Sequence, residues 1–122
     1  MFPTVAHGRT HYSTQDNIIS MLAWIKKLFG SPVDIKAMLD QGAIILDVRT
    51  KAEFKSGHVN GSVNIPLQQL SGQLNKLRAK DKPILACCAT GNRSGQAARM
   101  LRARGIEAYN AGSWRRVVPY TR

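Results

Sequence analysis

Acidic residues are few in this chain: seven Asp and Glu stand against eighteen Lys and Arg, for a formal net charge of +11. Cysteine is scarcer still, with only Cys87 and Cys88, side by side. A vicinal disulfide is strained, so the pair cannot act as an ordinary structural staple, which points to a reducing compartment and a cytoplasmic location. No second Cys-x-x-Cys and no His cluster accompanies the pair, which argues against a zinc site. Internal repeats and low-complexity tracts are absent. The apolar positions before residue 31 make a stretch too short to span a bilayer. That stretch is followed at once by Lys26 and Lys27 and lacks a small-residue cleavage site, which argues against a signal peptide.

What is present fits one small domain. With 122 residues, 43% hydrophobic and 20% charged, the chain can bury a modest single core. Residues 1–17 mix Gly, Pro, His, Ser and Thr with no apolar period and are expected to form a disordered extension. Ile18, Met21, Leu22, Ile25 and Leu28 fall at helical spacing, which predicts an amphipathic helix over residues 18–30. It either packs on the domain, the preferred reading, or touches a membrane surface through residues 18–29.

From residue 31 to 122 helical and strand patterns alternate. Ser31 as N-cap, Pro32 at the first helical position and Asp34 in the first turn predict a helix that ends at Gly42. The unbroken apolar run from Ala43 to Val48 reads as a strand buried on both faces. A helix over Thr50 to Lys55, a strand near Ser62 to Ile65, a helix from Leu67 to Leu77, a strand from Pro83 to Cys87, a helix from Ser94 to Arg104 and a short strand near Glu107 to Asn110 follow. The alternation predicts an α/β fold, a mostly parallel sheet with helices on both faces. In such sheets ligands bind beyond the carboxyl ends of the strands, where Cys88 falls.

Cys88-Ala89-Thr90-Gly91-Asn92-Arg93-Ser94 therefore joins a strand to a helix through a tight loop. Its backbone N–H groups can turn inward as an anion-binding nest, and the positive end of the helix points at the same place. Sites of this type bring a thiol from about 8.5 to roughly 3.5 to 7.5, so a thiolate exists at neutral pH. Cys88 is the candidate nucleophile. Gly91 supplies positive φ or a close backbone approach, Ala89 is too small to fill the cradle, Arg93 offers a planar fork to an oxyanion, and Ser94 can cap the helix.

Two adjacent cysteines leave two registers. Counted from Cys87 the string is CxxxxxRS, the spacing of cysteine-dependent phosphatases, but the third residue on is Thr90 and the preceding one Ala86 where those enzymes carry Gly and His. Counted from Cys88 it is CxxGxRS, with Gly91 and Arg93 both in place. The shorter loop resembles that of rhodanese-type sulfurtransferases. The resemblance extends through Asp47-Val48-Arg49, Glu53-Phe54, Gly57-His58-Val59, Gly61-Ser62 and Asn64-Ile65-Pro66 to Ala111-Gly112-Ser113-Trp114, covering roughly Val33 to Val118. Ser62 stands where Ala is usual, and no first strand is evident before Ser31.

The resemblance implies a rhodanese-like three-layer α/β/α fold and a single-domain, monomeric sulfurtransferase. Cys88 would take a sulfane sulfur from a small anionic donor such as thiosulfate, hold it as a persulfide, and pass it to cyanide or a thiol acceptor. Arg93 and the loop residues Ala89, Thr90, Gly91, Asn92 and Ser94 would bind the donor, with no metal or organic cofactor. The alternatives are a phosphatase or arsenate-reductase-like enzyme using Cys87, and a non-catalytic basic rhodanese-like binding module.

Other residues read as structural. Asp47 and Arg49, at the end of the first strand beside Glu53, either form an ion-pair set fixing that turn, the preferred reading, or shape the rim of the site. His58 resembles a structural turn position in the family, Trp114 reads as packing, and Cys87 should face away from Cys88 into the core. Basic residues crowd the C-terminal half, from Lys76 to Arg122, against Asp81 and Glu107 alone. They form a solvated surface or serve an anionic substrate or an acidic protein sulfur acceptor. Without an interleaved aromatic platform or a recognised motif they give little support to nucleic-acid binding.

Overall fold

Alternating apolar residues that are buried on both faces dictate a sheet between two helical layers, and the structure, a computed structural model that describes residues 33–121, is built in that way. The expectations for residues 1–17 and 18–30, and for Ser31 and Pro32, lie outside the described residues. The strands are β1 (Ile44–Asp47), β2 (Val63–Asn64), β3 (Ile84–Cys88) and β4 (Ala108–Ser113), all parallel in the order β2-β1-β3-β4. The helices are α1 (Ile35–Asp40), α2 (Lys51–Ser56), α3 (Leu67–Leu70), α4 (Leu74–Ala79) and α5 (Asn92–Ala103). After β1 the chain goes to one side of the sheet for β2 and then to the other for β3. The carboxyl ends of β1 and β3 thus flank the switch point where such sheets bind ligands.

Strand alternation sorts the core into two layers. Leu46, Val48, Ile84, Ala86 and Cys88 pack on one face against Leu70, Leu74 and Leu77 and against Ala97, Ala98 and Leu101 of α5. Ile45, Leu85 and Cys87 pack on the other, with Ile35 of α1, Val59, Ala111 and Val117. The two cysteines therefore lie on opposite faces, as expected of neighbours on a strand.

The elements depart from the sequence reading at several places. The first helix is capped by Asp34, whose side chain accepts from the N–H of Ala37 at 3.0 Å, so Asp34 is a cap and not a first-turn acid. The helix expected from Leu67 to Leu77 is broken by a 3-10 turn at Ser71–Gln73, where Ser71 and Gly72 are weak helix formers. Leu70, Leu74 and Leu77 still share a buried face. Strand β3 runs one residue further, through Cys88. β4 runs on to Ser113 because the register shifts at Ala86/Cys87, where Asn110 pairs with Ala86 and Gly112 with Cys87. Ala111 is the extra residue of this bulge, and Gly112 takes φ +88°.

At the end of β1 the carboxylate of Asp47, fully buried, receives Nε of Arg49 at 2.9 Å and Nη2 at 2.7 Å. Arg49 also donates to the carbonyls of Glu53 and Gly57 and lies 4.7 Å from the Trp114 ring centroid. One guanidinium thus ties together β1, the middle and C-cap of α2 and the segment after β4. Among the described residues no helix is long and apolar enough to cross a membrane. Replacing Asp47 by Ala leaves a buried, unpaired guanidinium, and the expected loss is about 3–5 kcal/mol, read as a lower urea midpoint at constant m. A loss below about 1 kcal/mol, the worth of an exposed ion pair, would contradict this role.

Candidate active site

Gly91 at φ +108° turns the chain sharply after Ala89 and Thr90, and only a residue without Cβ adopts that conformation at no steric cost. A Cβ there would also stand 3.3 Å from Cα of Gly112. Gly91 is the N-cap of α5, which begins at Asn92 and has no side-chain cap. Ser94 is consequently not the cap expected from the sequence. It is the third residue of the helix, fully buried, with its hydroxyl directed at the loop interior.

The Sγ atom of Cys88 collects the donors. The N–H of Gly91 reaches it at 3.0 Å, the N–H of Ser94 at 3.4 Å and the Ser94 hydroxyl at 3.2 Å. Burial opposes the thiolate, but the hydrogen bonds from Ser94, Gly91 and Thr90 outweigh it and hold the thiol below its ordinary value. Cys87, equally covered at its surface but set deeper in the protein, has no such donors among the described residues. Burial, reinforced by Asp47, pushes it up to about 12. Ala89 and Thr90 form the front of the loop and Asn92 is exposed at the helix start.

Arg93 lies across the rim. Its Nη1 and Nη2 hold the two carboxylate oxygens of Glu53 at 2.7 and 3.0 Å, in a fork-to-fork pair. The Arg93 hydrogen bonds, joined by that of the Thr50 N–H, lower Glu53 to about 2. Glu53 is therefore not part of the Asp47–Arg49 set: its carboxylate bridges α2 to the loop, and it also closes a capping box with Thr50. His58 stacks on Phe54 with ring centroids 3.8 Å apart and bonds its carbonyl through Nδ1 at 2.7 Å. Trp114 packs between Arg49 and Arg115. Both fit structural roles.

One residue of the site was missed in the sequence. Asn110 of β4 donates from Nδ2 to the Gly91 carbonyl at 3.0 Å, and its Oδ1 lies 2.7 Å from the Ser94 hydroxyl and 2.9 Å from the Gly112 N–H. The signal was present in Asn110-x-Gly112, a side chain able to bond the backbone two residues on, but it lies far along the chain from the loop.

The family model of the rhodanese-like domain matches residues 31–117. The chain belongs to the rhodanese-like domain family. It is 46% identical over 69 residues to the uncharacterized protein YqhL of Bacillus subtilis, a match covering 56% of this chain and 54% of that protein. The chain thus spans about half the length of this relative. The rhodanese-like relatives include the thiosulfate sulfurtransferase GlpE of Pseudomonas savastanoi pv. phaseolicola, 31% identical over 93 residues, covering 72% of this chain and 87% of GlpE. Among solved structures, a rhodanese with anions from E. coli is 29% identical with a TM-score of 0.56, covering 61% of this chain and 89% of that one.

The rhodanese-like loop makes two expectations measurable. Iodoacetamide at pH 7 should modify Cys88 and spare Cys87, because only the Cys88 sulfur is supplied with donors; equal labelling in the folded protein would contradict the face assignment. Glu53, lowered from 4.5 to about 2, contributes stability that is full above pH 4.5 and is lost as pH falls through about 2. Stability of a Glu53→Gln variant should consequently fall less steeply than that of the parent over that acid window, a small difference because the pair is about one-third exposed.

Proposed function

We propose that this protein is a sulfurtransferase in which Cys88 carries a sulfane sulfur between a donor and an acceptor. The observation that carries the reading is the convergence of two backbone N–H groups and one hydroxyl on the Cys88 sulfur, which maintains a nucleophilic thiolate at a buried strand end.

The thiolate attacks the outer sulfur of thiosulfate, the S–S bond of the donor breaks, and sulfite leaves with the electron pair. Cys88 is left as a persulfide anion. With a persulfide donor the leaving group is a thiolate. In the second half-reaction cyanide, or a thiolate of a small molecule or an acidic protein acceptor, attacks the outer sulfur and Cys88 leaves as thiolate. No oxidant is consumed and the cycle closes. The N–H groups of the loop stabilise the anionic sulfur in both states. Arg93 uses one N–H of each Nη on Glu53, and its remaining donors are the cationic contact for an anionic donor at the rim. Because Cys88 is fully covered in the resting structure, the donor reaches it only after the rim side chains part.

The phosphatase register is disfavoured by the position of Cys87 in the apolar layer opposite the loop. A binding module with a relic loop would not need donors aimed at a thiol. Three results test the reading. Incubation with thiosulfate should add one sulfur to Cys88; Cys88→Ser should abolish transfer to cyanide, whereas Cys87→Ala should retain most of it. The rate of persulfide formation should rise with pH to a plateau, with a midpoint below the ordinary thiol range and no falling limb between pH 5 and 9, since Glu53 is ionised throughout. Arg93→Ala should lower efficiency roughly tenfold to a hundredfold, the loss of a charge-assisted bond of about 1.5–3 kcal/mol. No persulfide with any sulfane donor would remove the proposal.

A further inference from the structure

The Ser94 hydroxyl has one hydrogen and stands between two acceptors, the Cys88 sulfur at 3.2 Å and Oδ1 of Asn110 at 2.7 Å. The Asn110 amide cannot turn over to relieve this. Its Nδ2 must face the Gly91 carbonyl at 3.0 Å and its Oδ1 the Gly112 N–H at 2.9 Å; the reverse orientation would set donor against donor and acceptor against acceptor. Oδ1 is therefore a fixed acceptor that competes with sulfur for one proton.

One glycine makes room for this amide, and two more shape the backbone beside it. Gly95 lies inside α5, where Gly costs about 1 kcal/mol relative to Ala, and a Cβ there would stand 3.1 Å from Asn110 Nδ2. Gly91 approaches the same atom, at 3.8 Å from its own would-be Cβ. Gly112, at φ +88°, allows the bulge that follows Asn110 in β4. A glycine at the end of the first turn of α5, packed on an exposed asparagine, is a local departure from the best helix former, and the asparagine is what it accommodates.

We infer that Asn110 is a positioning residue that sets the reactivity of Cys88 by competing for the Ser94 hydroxyl proton. When Cys88 is a thiol, its S–H donates to Ser94 Oγ, and Ser94 donates to Asn110. When Cys88 is a thiolate, the hydroxyl rotates to donate to sulfur, and Asn110 Oδ1 keeps only the Gly112 N–H. In the persulfide the negative charge moves to the outer sulfur, Sγ becomes a poor acceptor, and the hydroxyl returns to Asn110. The rotation thus favours a neutral Sγ, which is the state of the loaded enzyme.

Charged groups around this relay are Arg93 of α5, with Glu53 of α2 bound to it, Arg99 of α5 beside Gly95, Arg116 beside Gly112, and the Asp47–Arg49 pair at the end of β1, which acts on the adjacent Cys87. β4 brings Asn110, Gly112 and Ser113 to this end of the sheet, none of them titratable. The inference rests on Cys88 as the reactive thiol of the proposed function and needs no particular sulfur donor.

A double-mutant cycle read by the pH dependence of Cys88 alkylation tests it, with Cys87→Ala in every protein so that one thiol is followed. Asn110→Ala removes the competitor and also loosens the loop, and the second effect is common to both backgrounds. The midpoint shift caused by Asn110→Ala should therefore lie lower in the Ser94 parent than in the Ser94→Ala background. The difference should be roughly two- to tenfold in thiolate fraction, the worth of one net hydrogen bond. Equal shifts in the two backgrounds would show that Asn110 acts only through the loop backbone and would overturn the inference. If Asn110→Ala does not fold, Asn110→Asp runs the same cycle with opposite sign, raising the midpoint more when Ser94 is present; equal shifts again overturn it. Alkylation does not depend on sulfur transfer, so failure of this cycle and failure of the persulfide assay are separate results.

Discussion

A sulfur buried at the end of a strand is driven towards its neutral form by desolvation, and the whole site is an answer to that constraint. Cys87 and Cys88 make the point side by side. Both are fully buried, yet one is pushed up to about 12 and the other is held below its ordinary value. The difference is one residue of strand alternation. It turns Cys87 into an apolar layer and Cys88 towards the start of α5, where two N–H groups and a hydroxyl meet it. Those N–H groups are available because the first turn of a helix leaves its donors unpaired. Removing the helix start, the left-handed Gly91 or the bulge in β4 would leave a second Cys87.

Two arginine–carboxylate pairs fix the loops around that sulfur, and they differ in kind. Asp47–Arg49 is buried and multidentate, and it spends every face of the guanidinium on carboxylate, carbonyls or an aromatic ring. Such a pair is strongly destabilising to break, whatever its net contribution. Arg93–Glu53 is about one-third exposed on both sides and so contributes little to stability. The buried pair thus fixes the frame, while the pair at the rim, beside the fully covered sulfur, is the weaker of the two.

The sheet, its parallel sense and the face of each cysteine were legible because they follow from local periodicity. The apolar runs Ala43 to Val48 and Pro83 to Cys87 read as buried strands, and Gly91 after Cys88 marks the turn. Legibility ended where contacts join distant segments. Glu53 and Arg93 are forty residues apart, and nothing near Glu53 shows that its carboxylate leaves Arg49 for the loop. Asn110 was hidden for another reason: Ala108 to Ser113 is a weakly patterned strand, and its bulge, which decides where Asn110 points, depends on pairing with β3. The Ser94 cap failed on a smaller point. A helix can begin on backbone geometry alone, and Gly91 supplied the geometry three residues earlier.

Net charge was the most visible feature of the sequence and is the least connected to the site. Lys76 and Arg78 occupy the last turn of α4 and Arg102 the last turn of α5, with Lys80, Lys82 and Arg104 just beyond those helices. In a parallel α/β fold helix C-termini lie at the amino ends of the strands, so these six cations sit at the end of the sheet away from Cys88. Their position there is favourable for a reason unrelated to any ligand, because cations complement the negative ends of helices. The five residues of β3 separate that end from the sulfur by about 16 Å at roughly 3.3 Å per residue, beyond a Debye length of about 10 Å at 0.1 M salt. Closer to the sulfur, Glu53 offsets the charge of Arg93. Under the proposed function, recognition of an anionic sulfur would depend on the oriented N–H groups of the loop and on the free edge of one guanidinium, and a variant that lost the distant cations would keep both.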